Sequence, residues 1–142
     1  MTRIAAFVLC LTLVAAVGAA SASAREAGVT EGVTVEQLLA EPLAGEPGKE
    51  VVTHLYTFPG NTVLPWHVHP GTHEIAYVLE GDFAIEIDGE AAKPLKPGES
   101  FYMRPDAIHR GISGKEPVKL FVVRIKPVGE PLAVEVEPKQ AE

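Results

Sequence analysis

The chain has 142 residues, with 12 Lys or Arg against 19 Asp or Glu and a formal net charge of −7. That balance argues against nucleic-acid and anionic-lipid partners, which select clusters of Lys and Arg. A single cysteine excludes an intramolecular disulfide, so the fold must rest on apolar burial and on any metal it holds.

Met1, Thr2 and Arg3 open the chain, residues 4–20 are apolar, and Ser-Ala-Ser-Ala occupies 21–24. A positive start, an apolar run and a small-residue Ala-x-Ala site are the three parts of a secretory signal peptide at residues 1–24. Cleavage is predicted after Ala24, which gives a periplasmic or secreted chain with no membrane contact after cleavage. The other reading is a membrane anchor, but the apolar run lies at the low edge of the ~17–25 residues needed to span. Cys10 sits inside that run and leaves with it.

Residues 25–142 are a normal length for one domain and too short for two comfortable cores. The first part, 25–49, is rich in Gly, Pro and Glu, carries one helix-like stretch at 34–39, and reads as an N-terminal arm. The domain proper is expected at 50–142. There, short apolar runs of period near two recur at 51–58, 74–79, 83–87, 100–103, 118–125 and 132–136. Turn residues separate them, at Asn61, Pro70-Gly71, Glu80-Gly81, Asp88-Gly89, Pro97-Gly98 and Ser113-Gly114. Of these, Asp88-Gly89 reads as a two-residue hairpin turn. Many short strands predict an all-β sandwich or barrel. The run 118–125 alternates little, so it is expected to be covered on both faces, by the arm or by a second copy in a homodimer.

His67 and His69 are two residues apart, so on a strand both imidazoles face one way. After the turn at Pro70, Gly71 and Thr72, Glu74 can return its carboxylate to the same point. A further turn at 104–107 precedes His109, a fourth donor. Three imidazoles and a carboxylate suit a divalent first-row ion. His73 neighbours Glu74 and should project to the opposite face, while His54 reads as a structural strand residue. By parity Ala76 and Val78 share the face of Glu74 and predict a small apolar wall. Tyr56, Tyr102, Met103, Arg104 and Arg124 fall nearby in the pattern and read as barrel packing or surface.

On these residues the chain resembles the cupin superfamily from about Gly60 to Ser113. His67, Val68, His69, Glu74 and Gly81 stand at the spacings of the first cupin motif, with Gly60 one residue further out than usual. Gly98, Arg104, Asp106, His109 and Ser113 stand at those of the second. Arg104 takes the place of Pro and Asp106 that of Gly, and Asp is one of the few residues that tolerate a positive φ. The resemblance implies a cupin double-stranded β-helix, or jelly-roll, barrel. It also implies one metal ion held by His67, His69, Glu74 and His109: Fe(II) or Mn(II), or else Zn(II), Ni(II) or Cu(II).

Three functions follow from a metal with open coordination positions and a small-molecule ligand. The first is a dioxygenase acting on a small enolic substrate, as similarity to quercetin-dioxygenase-like small cupins implies. The second is a metal-dependent isomerase or lyase of a small acid or sugar with Glu74 as the catalytic base. The third is a non-catalytic metal- or ligand-binding module. One scaffold hosts many chemistries, so the choice belongs to the site.

Overall fold

The computed structural model describes residues 30–139, and the expected signal peptide at 1–24 lies outside them. The described chain is all strand and loop. Its strands are β1 (Thr34–Pro42), β2 (Lys49–Phe58), β3 (His67–Val68), β4 (His73–Glu80), β5 (Phe83–Ile87), β6 (Lys93–Leu95), β7 (Ser100–Met103), β8 (His109–Ser113), β9 (Val118–Pro127) and β10 (Val134–Glu135). They form two five-stranded sheets, ordered β1-β2-β9-β4-β7 and β10-β3-β8-β5-β6, with antiparallel neighbours throughout. The strand pattern's all-β sandwich or barrel is therefore observed, in the two-sheet arrangement that the resemblance implies.

Strand β4 shows why the pattern is legible. Glu74, Ala76 and Val78 are buried, while His73, Ile75, Tyr77 and Leu79 are exposed, the alternation of a strand with one face on the core. The core between the sheets is built from such inward residues. Tyr56 stacks on Phe58 at 5.8 Å, and Phe83 stacks on Phe101 at 6.3 Å, with Val78, Val118 and Leu120 packed around them. Gly81, in the turn from β4 to β5, has φ +77, and a Cβ there would meet Pro117 O at 2.3 Å, so only glycine fits. Asp106 also lies at positive φ (59), in the turn where the family pattern has Gly, and its carboxylate accepts from Gly71 N at 3.2 Å.

Three local expectations are corrected. The helix-like stretch at 34–39 is strand β1, paired along its length with β2. Its Leu38-Leu39 pair, which mimics helical spacing, falls at a bulge between Gln37 and Leu39. Asp88-Gly89 is not a two-residue hairpin. Glu90 N bonds to Ile87 O across the turn, but β5 and β6 pair only from Ile85 opposite Lys93. Within the single chain, Val118, Leu120, Val122, Arg124 and Lys126 of strand β9 are buried, whereas Phe121, Val123 and Ile125 are half-buried on the outer face, so the arm does not supply the cover expected there. The arm expected to cover it is described from Thr30 onward and runs in the same sheet, as β1, instead.

Candidate metal centre

Each histidine reaches the space between the sheets by a different route. His67 begins β3 and lies directly opposite His109, the first residue of β8. His69 follows β3 just before the turn at Pro70. All three are buried, with ring centroids 5.0, 4.4 and 4.9 Å apart for the pairs 67–69, 67–109 and 69–109. One ring nitrogen from each lies within 4.8 Å of the other two, a grouping that could hold a metal ion.

The outer ring nitrogens explain why the inner ones converge. His67 Nδ1 donates to Pro65 O at 2.9 Å, His109 Nδ1 to Ala107 O at 2.8 Å, and His69 Nδ1 to Leu132 O. A carbonyl can only accept, so each Nδ1 carries the proton, and each Nε2 is turned inward as a ligand atom. The carbonyl for His69 comes from the segment after β9, where Ala133 is buried and β10 pairs with β3. The end of the described chain therefore orients one of the three imidazoles.

Glu74 stands beside the cluster. Its Oε2 lies 3.0 Å from His69 Nε2 and accepts from Arg124 Nε at 2.7 Å. Arg124 is the direct cross-strand neighbour of Glu74 in β4 and β9, is buried, and donates from Nη1 to Tyr56 Oη at 2.7 Å. Expecting Arg124 and Tyr56 to serve only as packing or surface is thus corrected: both border the site. Their role depends on which strands pair, and nothing local in the sequence announces that.

The other expected residues fall where parity put them or further away. His73 is exposed on the outer face and hydrogen-bonded to Tyr102 Oη at 2.7 Å. His54 is buried against Tyr56, away from the cluster. Met103 is core and Arg104 is exposed. A cavity open to solvent is lined by the three histidines, Glu74, Arg124 and Tyr56 and by apolar residues including Leu64, Phe101 and Ala76. Ala76 lines it as expected; Val78 is buried in the core instead.

Burial shapes the charges here. Desolvation, aided by the neighbouring His109 and His69, pushes His67 down to about 3, and desolvation likewise lowers His109, with Glu74 opposing and His69 assisting. Burial alone would push the Glu74 carboxyl up, but the Arg124 guanidinium and His69 outweigh it and hold it well below the usual carboxylate range. For His67 the unfolded chain takes up a proton near pH 6.5 while the folded chain does not. Stability is therefore independent of this group above pH 6.5 and falls as pH drops toward 3. The Glu74 contribution is present above its unfolded value and is lost at still lower pH. Metal-free protein is expected to lose on the order of 4 kcal/mol through His67 alone by pH 3. Urea midpoints at pH 7.5, 6, 5 and 4 measure this, and a flat profile across that range would refute it.

A family model described as a cupin domain matches residues 54–124, half of the chain. No curated protein matches. Among solved structures, a cupin-like protein of Thermotoga maritima is similar at TM-score 0.60 and 20% identity, over 80% of this chain and 86% of that one. Oxalate oxidase in complex with the substrate analogue glycolate is similar at TM-score 0.57 and 24% identity, over 76% of this chain and 57% of that one. The DMSP lyase DddQ of Ruegeria pomeroyi is similar at TM-score 0.54 and 21% identity, over 64% of this chain. The match covers 45% of that lyase, less than half its length. With both motifs folded into one barrel and the family model spanning its two sheets, the chain belongs to the cupin family.

Proposed function

We propose that this cupin binds one divalent first-row metal ion through His67, His69 and His109 and acts as an oxygenase on a small, planar, enol-bearing substrate. The observation that carries the reading is the convergence of three Nε2 atoms, each fixed by a carbonyl at its Nδ1, in the lining of a mostly apolar cavity. Three converging imidazoles suit such an ion. Fe(II) or Mn(II), when bound, would supply Lewis-acid polarisation and one-electron chemistry with O₂.

The chain's own residues select the substrate. Leu64, Phe101 and Ala76 make an apolar wall, and a polyhydroxylated sugar would lose water there without finding partners. Glu74 lines the same cavity as a carboxylate held low by Arg124, so it is a weak base. Its carboxylate can accept a hydrogen bond from an enol hydroxyl that enters the cavity.

The test is an oxygen electrode with Fe(II)- and Mn(II)-loaded protein against flavonols and 1,3-diketones. Substrate-dependent O₂ uptake is expected, reduced at least ~100-fold in Glu74→Gln, the low end of what a positioned proton acceptor contributes. Oxalate oxidase and DMSP lyase share the barrel. Conversion without oxygen would therefore move the chain to the isomerase or lyase class, and tight binding without turnover to a binding module.

Because a domain of this size buries enough apolar surface to stand alone, the metal is expected to add stability without being required for folding. Thermal melts with and without chelator should both be cooperative, the chelated one at lower temperature. Loss of the transition at 25 °C on chelation would make the metal a structural staple and weaken the catalytic reading.

A further inference from the structure

The segment that follows β9 leaves the sheet of β9 and crosses to the other one. After Pro127 the chain turns through Gly129, at φ +83, and lays β10 along β3, with Val134 opposite Val68 and Glu135 opposite His67. It reaches the histidine centre at two of the three imidazoles. His67 lies in β3, which has β10 on one side and on the other pairs with β8 only through His67 and His109. The His69 ring spans the distance from this segment to Glu74: Nδ1 donates to Leu132 O, and Nε2 lies 3.0 Å from Glu74 Oε2. Little holds the segment down. From Val128 to Lys139 only Ala133 is buried, and beyond the two-residue β10 its anchors include Val136 N to Trp66 O at 3.0 Å and Lys139 N to Asp88 Oδ2 at 2.8 Å. A stretch with so little buried apolar surface and such exposed backbone bonds opens locally, without unfolding the barrel.

We infer that the segment 128–139 is a strap coupled to the metal: its docking completes the centre, and a bound ion locks it in place. This rests on the metal-binding reading above and adds a conformational readout to it. When the strap opens, His69 loses the carbonyl that fixes its ring, and β3, which carries His67, is left with one paired position. Both Nε2 atoms then lose the orientation a ligand needs, and loss of one partner that supports a ligating histidine costs ~10–100-fold in metal affinity. The coupling is reciprocal. If opening the strap weakens the metal by that factor, the metal must favour the docked strap by the same factor. Metal-loaded protein therefore presents a fixed segment after β9, and metal-free protein one that opens, so the state of a buried site is displayed at the surface.

Zn(II) serves as the probe, on the full chain as wild type and as Ala133→Arg. The arginine puts a bulky cation, which has no acceptor to offer a metal, at the buried position of the strap. Amide hydrogen exchange at Val136, whose N–H is released when the strap opens, is followed by NMR with and without saturating Zn(II), and titration gives the Zn(II) affinity of both proteins. Zn(II) is expected to slow Val136 exchange in wild type by ~10–100-fold, while amides of β1, an exposed edge strand paired only with β2, change by less than ~3-fold. Ala133→Arg should bind Zn(II) more weakly by the factor that slows exchange in wild type, because one coupling free energy sets both. If Ala133→Arg does not fold, the wild-type exchange rates decide alone. Zn(II) that binds wild type yet leaves Val136 exchange unchanged, or slows β1 equally, would overturn the inference and leave the metal-binding reading standing. Folded Ala133→Arg with wild-type affinity would do the same. Failure of wild type to bind Zn(II) at all would remove both, whereas a coupled strap in a protein that consumes no oxygen with any substrate would remove only the oxygenase reading.

Discussion

Replacing Arg124 with methionine is expected to destabilise the metal-free protein by about 3–5 kcal/mol, the loss seen when one partner of a buried ion pair is removed. Glu74 keeps its place between the sheets when Arg124 is gone, but its charge is then uncompensated in a site almost closed to water. Methionine fills much of the lost volume, so the loss reads out charge more than packing. The discriminating partner is Arg124→Met with Glu74→Gln, in which no formal charge is stranded. That double variant should recover most of the stability, giving a strongly non-additive cycle. Urea melts at pH 7 in chelator measure all four proteins. A single-variant loss under ~1 kcal/mol, typical of exposed pairs, would show that water reaches the pair. An equally unstable double variant would assign the loss to packing.

The same pair marks the limit of what the sequence reveals. His67, His69, Glu74 and His109 are legible because strand parity and a turn bring the first three near one another in a short stretch, and because the spacing of the second motif repeats a known pattern. Arg124 is invisible by that logic. It is 50 residues from Glu74 in the chain, and only the pairing of β9 with β4 makes them neighbours. Leu132 is a sharper case, since its contribution is a backbone oxygen that no residue type encodes. Among the strands, β4, β5 and β7 could be read because alternation and turns bound them. Strand β1 could not, since most of its side chains are exposed and its conformation is set by hydrogen bonds to β2 rather than by its own apolar pattern. β3 is two residues long, too short for any period to register.

The second large effect concerns the ligands themselves. His109→Ala is expected to lower metal affinity by at least ~100-fold, beyond the 10–100-fold that loss of a supporting group costs, while His73→Ala changes it by less than ~3-fold. The contrast is a test of geometry, since both residues are strand histidines next to a turn. His109 is 2% exposed, opposite His67 across the β3–β8 pair, with its Nδ1 anchored to Ala107 O. Truncating it removes one of three converging nitrogens, and no other side chain of β8 projects to that point. His73 lies on the other face of β4, stacked on Tyr102 and exposed to solvent, so its loss leaves the centre untouched. Metal titrations of both variants, each checked for a wild-type-like melt in chelator, provide the comparison. Equal losses would place the metal outside the barrel, on the face that carries His73, and with it the catalytic role assigned to the cavity would fall.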